Sequence, residues 1–266
     1  MDYIIMDIEF NGRKFASDLP MEVIEIGAVR LNSSLQQIDE FSALIKPVYF
    51  SKLNSFIKQK TGIPQEEIDL ASSFPKVMND FMVWLNQSDS HLFLTWGGED
   101  LKRIIYDTRM HKLDDSFWMT VHYYDLLKGF VRYKKLKNDV SVESALIELE
   151  IVANGSAHRA LDDARMTSDV FLKIFNELDF ELKQQFKDSY TNAKERRLVK
   201  VAAQTMISQK ITPTWELFVE HYIKDKLTIT DPKKLEEMEM YFTAEIAKAP
   251  LPNTRTEKMV KQAETP

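Results

Sequence analysis

The sequence predicts an α/β protein: a mixed five-stranded sheet flanked by helices, with an α-helical appendage at the C-terminal end. Three observations carry this expectation. Short apolar runs of strand length come first in the chain, and later runs alternate with helical repeats, the order of a mixed sheet with helices packed on it. Beyond Phe180 only helical spacing remains. The chain has 266 residues, enough for one large domain and an appendage.

The elements follow in order. Residues 3–8 form an apolar run and predict the first strand. Residues 23–31 predict the second, and residues 41–45 a third that stops at Lys46-Pro47. Short connections between them suggest an antiparallel meander. The polar stretch 11–20 reads as a loop. Phe74, Val77, Met78, Phe81 and Leu85 recur at helical spacing, with Pro75 near the start. Residues 91–96 predict a fourth strand, followed by Gly97-Gly98. Residues 100–111 then read as a helix whose inner face is Leu101, Ile104 and Ile105. Residues 121–127 predict a fifth short strand running into a helix, and Val142, Ala145, Leu146 and Leu149 mark another helix. Gly155-Ser156 is a break, and a long helix runs from about Arg159 to Leu178. Thr212-Pro213 and Asp231-Pro232 read as helix starts in the C-terminal third. Trp215, Phe218, Val219 and Tyr222, then Leu235, Met238, Tyr241 and Phe242, suggest two amphipathic helices there.

Composition narrows the function. Hydrophobic residues make up 44% and aromatics 11%, which excludes a wholly disordered chain. No apolar run reaches the ~18 residues of a membrane-spanning helix, so no membrane association is expected. The first apolar stretch is interrupted by Asp7, unlike a signal peptide. Cysteine is absent, which excludes disulfides, thiolate-bound zinc, iron–sulfur clusters and cysteine nucleophiles, and fits a cytoplasmic protein. With 7 glycines and neither G-x-G-x-x-G nor G-x-x-x-x-G-K-[ST], glycine-rich nucleotide loops are not expected. The net charge is −6, but it is uneven. Residues 1–180 carry 20 basic against 28 acidic residues, and residues 181–266 carry 15 against 13. A protein that merely coats nucleic acid is basic. An acidic one can still act on it when its carboxylates bind cations that reverse the local charge.

Certain carboxylates stand out. Asp7-Ile8-Glu9 closes the first strand, and side chains two apart on a strand share a face. Two carboxylates there repel and resist burial. A hard divalent cation such as Mg²⁺ or Mn²⁺ removes the conflict. A single Asp-x-Glu arises by chance about once in a chain of this length, so position carries the weight. Asp100 follows the fourth strand and two glycines at the start of a helix, where a plain dipole interaction also accounts for it. His158 precedes the long helix that contains Asp162 and Asp163. On the helical wheel Asp163 lies roughly 90° from the centre of the apolar stripe and Asp162 roughly 170°, so Asp162 should face solvent.

Taken together and in this order, Asp7-x-Glu9, Asp100 and His158-x-x-x-x-Asp163 resemble the DEDDh 3′–5′ exonucleases of the DnaQ-like, RNase H-like superfamily. Further segments are similar to that family: residues 21–29 (MEVIEIGAV), Ile45-Lys-Pro47, Thr61-Gly-Ile63, residues 95–100 (TWGGED) and residues 158–164 (HRALDDA). The second-motif segment is closest to the branch of the histone-mRNA 3′-exonuclease and the bacterial KapD-like exoribonucleases. The likeness covers about residues 1–178. Phe10 departs from the small residue that many relatives have after the motif glutamate.

The resemblance implies hydrolysis of single-stranded RNA or DNA from a 3′ end to 5′-mononucleotides, with RNA slightly preferred, by a two-metal-ion mechanism. It implies that Asp7, Glu9 and Asp163 hold one Mg²⁺ or Mn²⁺, that Asp7 bridges to a second, and that Asp100 supports the second directly or through water. Two such ions lie about 4 Å apart and neutralise the charge that develops at phosphorus. His158 takes the proton of the attacking water, a task suited to an imidazole of ordinary pKa about 6.5. Phe10 and Trp96 are candidates, by position alone, for stacking on the substrate's last bases, with core packing as the other reading. Three regions are expected: a DEDDh exonuclease domain over 1–180, a helical extension over 181–249, and a flexible tail over 250–266. The extension has no recognised family. Its basic residues Lys194, Arg196, Arg197, Lys200 and Lys210 read first as a solvated helix face and second as a phosphate track. Its helices leave open a homo-oligomer or a protein partner. Two other functions stay in view: a proofreading-type DNA exonuclease subunit of a polymerase, and a non-catalytic nucleic-acid-binding scaffold.

Overall fold

The computed structural model describes residues 1–12, 21–152, 158–224, 229 and 231–248. The predicted loop over 11–20, the break at Gly155-Ser156 and the tail over 250–266 fall mostly or wholly outside them. The strands are β1 Asp2–Asn11, β2 Glu22–Leu31, β3 Gln37–Lys46, β4 Ser72–Ser73, β5 His91–Thr95, β6 His122–Asp125 and β7 Gln184–Gln185. They form one mixed sheet in the order β4-β3-β2-β1-β5-β6-β7. β1, β2 and β3 make the expected antiparallel meander, and β5 and β6 add parallel to β1. Among the described residues the sheet has seven strands: the five expected and two more. The two additions are edge pairs of two residues each, too short for any hydrophobic period to reveal.

Helices cover the sheet: α1 Ser55–Thr61, α2 Gln65–Leu70, α3 Phe74–Leu85, α4 Glu99–Met110, α5 Ser116–Thr120, α6 Leu126–Lys134, α7 Val142–Glu148 and α8 Ala160–Ile174. Two cores result. On one face Ile5, Val29 and Leu94 pack with Ala164, Val170 and Phe171 of α8. On the other, Ile4, Met6 and Ile26 pack with Phe74, Val77 and Phe81 of α3 and with Ile104 of α4. Alternation along β1 explains the division, because Ile4 and Met6 point one way and Ile5 the other. The central strands are buried on both faces; β2 is buried along its entire length.

The fold divides into two compact units, Met1–Lys187 and Asp188–Pro266. In the second, α9 Ala193–Ser208, α10 Trp215–Phe218 and α11 Pro232–Ala247 share a small core of Val199, Ala202, Met206, Phe218, Met238 and Phe242. A π-helical turn over Val219–Ile223 continues α10. Asn192 and Glu195 close a capping box at the start of α9. Asp231 caps α11, with Pro232 in its first turn as expected. Arg196 is tied into this unit, donating to the Thr191 carbonyl at 2.6 Å, whereas Lys194, Arg197 and Lys200 are exposed. No helix among the described residues is long and apolar enough to cross a membrane.

Candidate active site

β1 places Asp7 opposite Gly27 and Glu9 opposite Glu25 of β2. The register slips just after Glu9, between Glu9 and Phe10. A bulge of this kind bends the strand and re-aims the side chains beside it. Gly27 is the contact that brings α8 to the sheet. A Cβ on Gly27 would lie 2.1 Å from the Leu161 backbone nitrogen and 2.2 Å from the Ala160 carbonyl carbon. The first turn of α8 therefore rests on bare backbone, and Asp163 in that turn comes within reach of the β1 acids.

Glu9, His158 and Asp163 offer ligand atoms that all lie within 4.8 Å of one another. Asp7 and Asp100 join them electrostatically. The Asp7 carboxyl is pushed well above the usual carboxylate range, by burial first and then by repulsion from Asp100, Asp163 and Glu9. Burial likewise raises Glu9 to about 7, with Asp163 and Glu25 adding repulsion. Asp100, in the first turn of α4, rises to about 8 through burial and then through Glu9, Glu99 and Asp163. Asp163 rises to about 6, chiefly through burial, and is 9% exposed. The structure thus gathers all five of the expected acid and imidazole groups at one end of the sheet.

His158 adopts a left-handed backbone conformation with φ +67°. Such a conformation is unfavourable for a side-chain-bearing residue and persists where surrounding contacts enforce it. One such contact is visible: the His158 N–H donates to both Asp163 carboxylate oxygens, at 3.3 and 3.2 Å. A second anchor lies next door. Arg159 donates to Glu25 through Nη2 at 2.8 Å and Nε at 3.1 Å, and the Ala160 N–H reaches the same carboxylate at 3.0 Å.

The helical-wheel expectation for α8 is partly met. Asp163 is buried at the edge of the packed face, but Asp162 is not free in solvent. It is half-buried and pairs with Arg165 at 3.0 Å. The two aromatic candidates separate. Phe10 lines a groove of about 600 Å³ beside Glu9, together with Met21, Asn54, Phe56 and Ile57. The Arg103 guanidinium lies 5.3 Å from the centre of its ring. Trp96 is half-buried and packs against the core: its ring meets Phe130 and its indole N–H donates to the Val140 carbonyl at 2.9 Å. That bond joins residues 44 apart and has no local signature.

Reading the sequence missed two neighbours of the site. Lys60, on α1, approaches Glu9 at 3.5 Å. Glu143, on α7, lies within electrostatic reach of His158, Lys60 and Asp163. The Thr61-Gly-Ile63 landmark was a signal for the first.

The donor set is one that divalent cations fit. Four carboxylates supply hard oxygen ligands, their mutual repulsion favours added positive charge, and an imidazole nitrogen stands beside them. A mixed sheet with buried acids at the end of its central strand defines an RNase H-like fold. That likeness extends to solved structures: the nuclease domain of 3′hExo, a DEDDh family member, bound to rAMP superposes with a TM-score of 0.62 at 21% identity, covering 71% of this chain and 97% of that one. The RNase T exonuclease family model matches residues 4–171, and the chain belongs to this exonuclease family. Among curated proteins, 3′-5′ exoribonuclease 1 of Rattus norvegicus is 24% identical over 168 residues, covering 59% of this chain and 47% of its own length. The PolC-type DNA polymerase III of Thermotoga maritima is 31% identical over 173 residues, covering 65% of this chain and 12% of its own. The chain thus spans about half the length of the first relative and a small part of the second.

Proposed function

We propose that the chain is a metal-dependent 3′–5′ exonuclease that releases 5′-mononucleotides from single-stranded nucleic acid, with RNA slightly preferred over DNA. One observation carries the reading: four acids from β1, α4 and α8 crowd together with His158 in a protein of the exonuclease family. Asp7, Glu9, Asp100 and Asp163 would hold two divalent cations, Mg²⁺ or Mn²⁺, which would supply positive charge to the phosphodiester at the point of cleavage.

The chain's own groups do the rest. His158 accepts the proton of the water that attacks phosphorus. Its backbone N–H bond to Asp163 anchors His158 at the start of α8. Glu25 and Arg159 hold the start of α8 against β2, so His158 and Asp163 keep a constant separation from Glu9. The groove beside Phe10 receives the terminal base, since base–aromatic stacking tolerates any sequence. Trp96, half-buried, braces that end of the sheet through Phe130 and Val140. The preference for RNA draws support from the exoribonuclease relative, and the proofreading-type DNA exonuclease from the polymerase relative.

The test is degradation of RNA and DNA single strands labelled at either end, with Mg²⁺, Mn²⁺ or EDTA. The expected outcome is a ladder shortened one nucleotide at a time from the 3′ end, abolished by EDTA. Cleavage within the strand, or persistence in EDTA, would reject the reading, and no cleavage under any condition would favour the scaffold. Replacing His158 with Ala should slow turnover by about a hundredfold or more at pH 7. An unchanged rate would remove the imidazole from the reaction.

A further inference from the structure

We propose that Lys60 is a further catalytic residue: its ammonium group neutralises Glu9 in the metal-free protein and moves to a non-bridging oxygen of the phosphodiester once divalent cations occupy the acid cluster. The proposal rests on the nuclease reading above and adds a residue to it.

Lys60 stands in the last turn of α1, which ends at Gly62 in the left-handed conformation, φ +68°. Its Nζ is 3.5 Å from Glu9 Oε2. That is longer than the roughly 2.7–2.9 Å of a tight charge-assisted bond, so the pair is a loose one. The partners are also unequal. The Lys60 side chain is 36% exposed and the Glu9 side chain 5%. The lysine thus reaches a buried acid from a half-solvated position. Its charge offsets the repulsion at Asp7, Glu9 and Asp163 alike.

Two neighbouring cations face other groups. Arg159 is held bidentately by Glu25, and Arg103 lies over the Phe10 ring. Lys60, by contrast, borders two grooves at once. One is the apolar groove of about 600 Å³ with Phe10 and Phe56; the other is a polar one of about 480 Å³ with Ser42, Gln59 and Arg159. Gln59 and Lys60 line both grooves, so a strand with its last base in the apolar groove would carry its phosphate beside Lys60.

The charge balance sets the direction of the exchange. With cations absent, Glu9 is the nearest anion to the ammonium. With the acids satisfied by divalent charge, Lys60 is repelled from the cluster, and the phosphodiester anion becomes its partner. The group needs only to donate hydrogen bonds; no bond to it is made or broken.

Lys60→Met keeps most of the unbranched side chain and removes its charge; Lys60→Arg keeps the charge. In a calorimetric Mn²⁺ titration without substrate, Lys60→Met should bind the ion several-fold more tightly than wild type, because a competing cation is gone. In steady-state degradation of single-stranded RNA at saturating Mg²⁺, the same variant should lose about tenfold or more in kcat/KM, the worth of one charged hydrogen bond. Lys60→Arg should recover most of that loss. Unaltered kcat/KM in Lys60→Met, or weaker Mn²⁺ binding, would overturn the proposal and leave Lys60 a surface lysine or a support for Glu9. Wild-type protein that degrades no nucleic acid would instead defeat the nuclease reading, while the Mn²⁺ titration would still decide whether Lys60 competes for the cluster.

Discussion

Two adjacent strands each bury acids, and they treat them differently. On β2, Glu22 and Glu25 are 2% and 1% exposed. Glu22 accepts backbone N–H bonds from Val48, Tyr49 and Phe50. Glu25 accepts from the Arg159 guanidinium and the Ala160 N–H. Each is a pin that fastens another part of the chain to the sheet. On β1, Asp7 and Glu9 face other acids instead, and Glu9 has one lysine at 3.5 Å. A buried acid supplied with donors holds structure together; buried acids turned toward each other are poised for cations. Burial alone does not mark a functional carboxylate. Its partners do.

Substitution should separate the two groups. The largest effect is expected at Asp7. Asp7→Ala should reduce turnover on the order of a thousandfold or more, while the metal-free protein melts no lower than wild type, because a source of repulsion is removed. Near-normal hydrolysis would break the contrast. Glu25→Gln should do the reverse in kind: about 2 kcal/mol of stability is lost as the charged bonds to Arg159 weaken, measurable by denaturant unfolding. A stability equal to wild type would mean that the clamp is not one.

Next comes pH. Glu9, Asp100 and Asp163 titrate at about 7, 8 and 6 in the folded state, above their ordinary values. Between the unfolded and folded values the native state binds more protons, so metal-free stability is highest below about pH 4 on this account and falls as pH rises toward 8. Melting temperature in EDTA should therefore decline across that window, and Mg²⁺ or Mn²⁺ should restore more of it at pH 8 than at pH 5. Equal rescue at both would show that the acids do not need the cations. The smallest effect belongs to Asp162→Ala, which loses a half-exposed pair with Arg165 and should change stability by about 0.5 kcal/mol or less. A loss of activity matching that of Asp163→Ala would contradict the assignment of Asp163 alone to the cluster.

Much of this was legible before any coordinates. Asp7 and Glu9 share a face because a strand has period two, and Asp163 falls on the packed edge of α8 because a helix turns 100° per residue. The five expected strands announced themselves by apolar runs, down to the four-residue β6. What stayed hidden depended on distant partners. Trp96 had the position of a stacking residue, but Val140 claims its indole. Asp162 had the angle of a solvent residue, but Arg165 folds over it. α1, of seven residues, is too short for periodicity to emerge, so Lys60 looked like any surface lysine. The boundary between units moved from 180 to 187 because residues 184–185 pair with β6, a contact no local pattern announces.

The bare backbone at Gly27 has a genetic corollary. Even alanine there would wedge its methyl group into the start of α8, 2.1 Å from the Leu161 nitrogen, and the helix would have to retreat. Asp163 would leave with it, although every acid and the imidazole would still be spelled in the gene. A lesion scored as a silent-looking glycine change would thus behave as a null allele, and inventories of reactive residues would never reveal why.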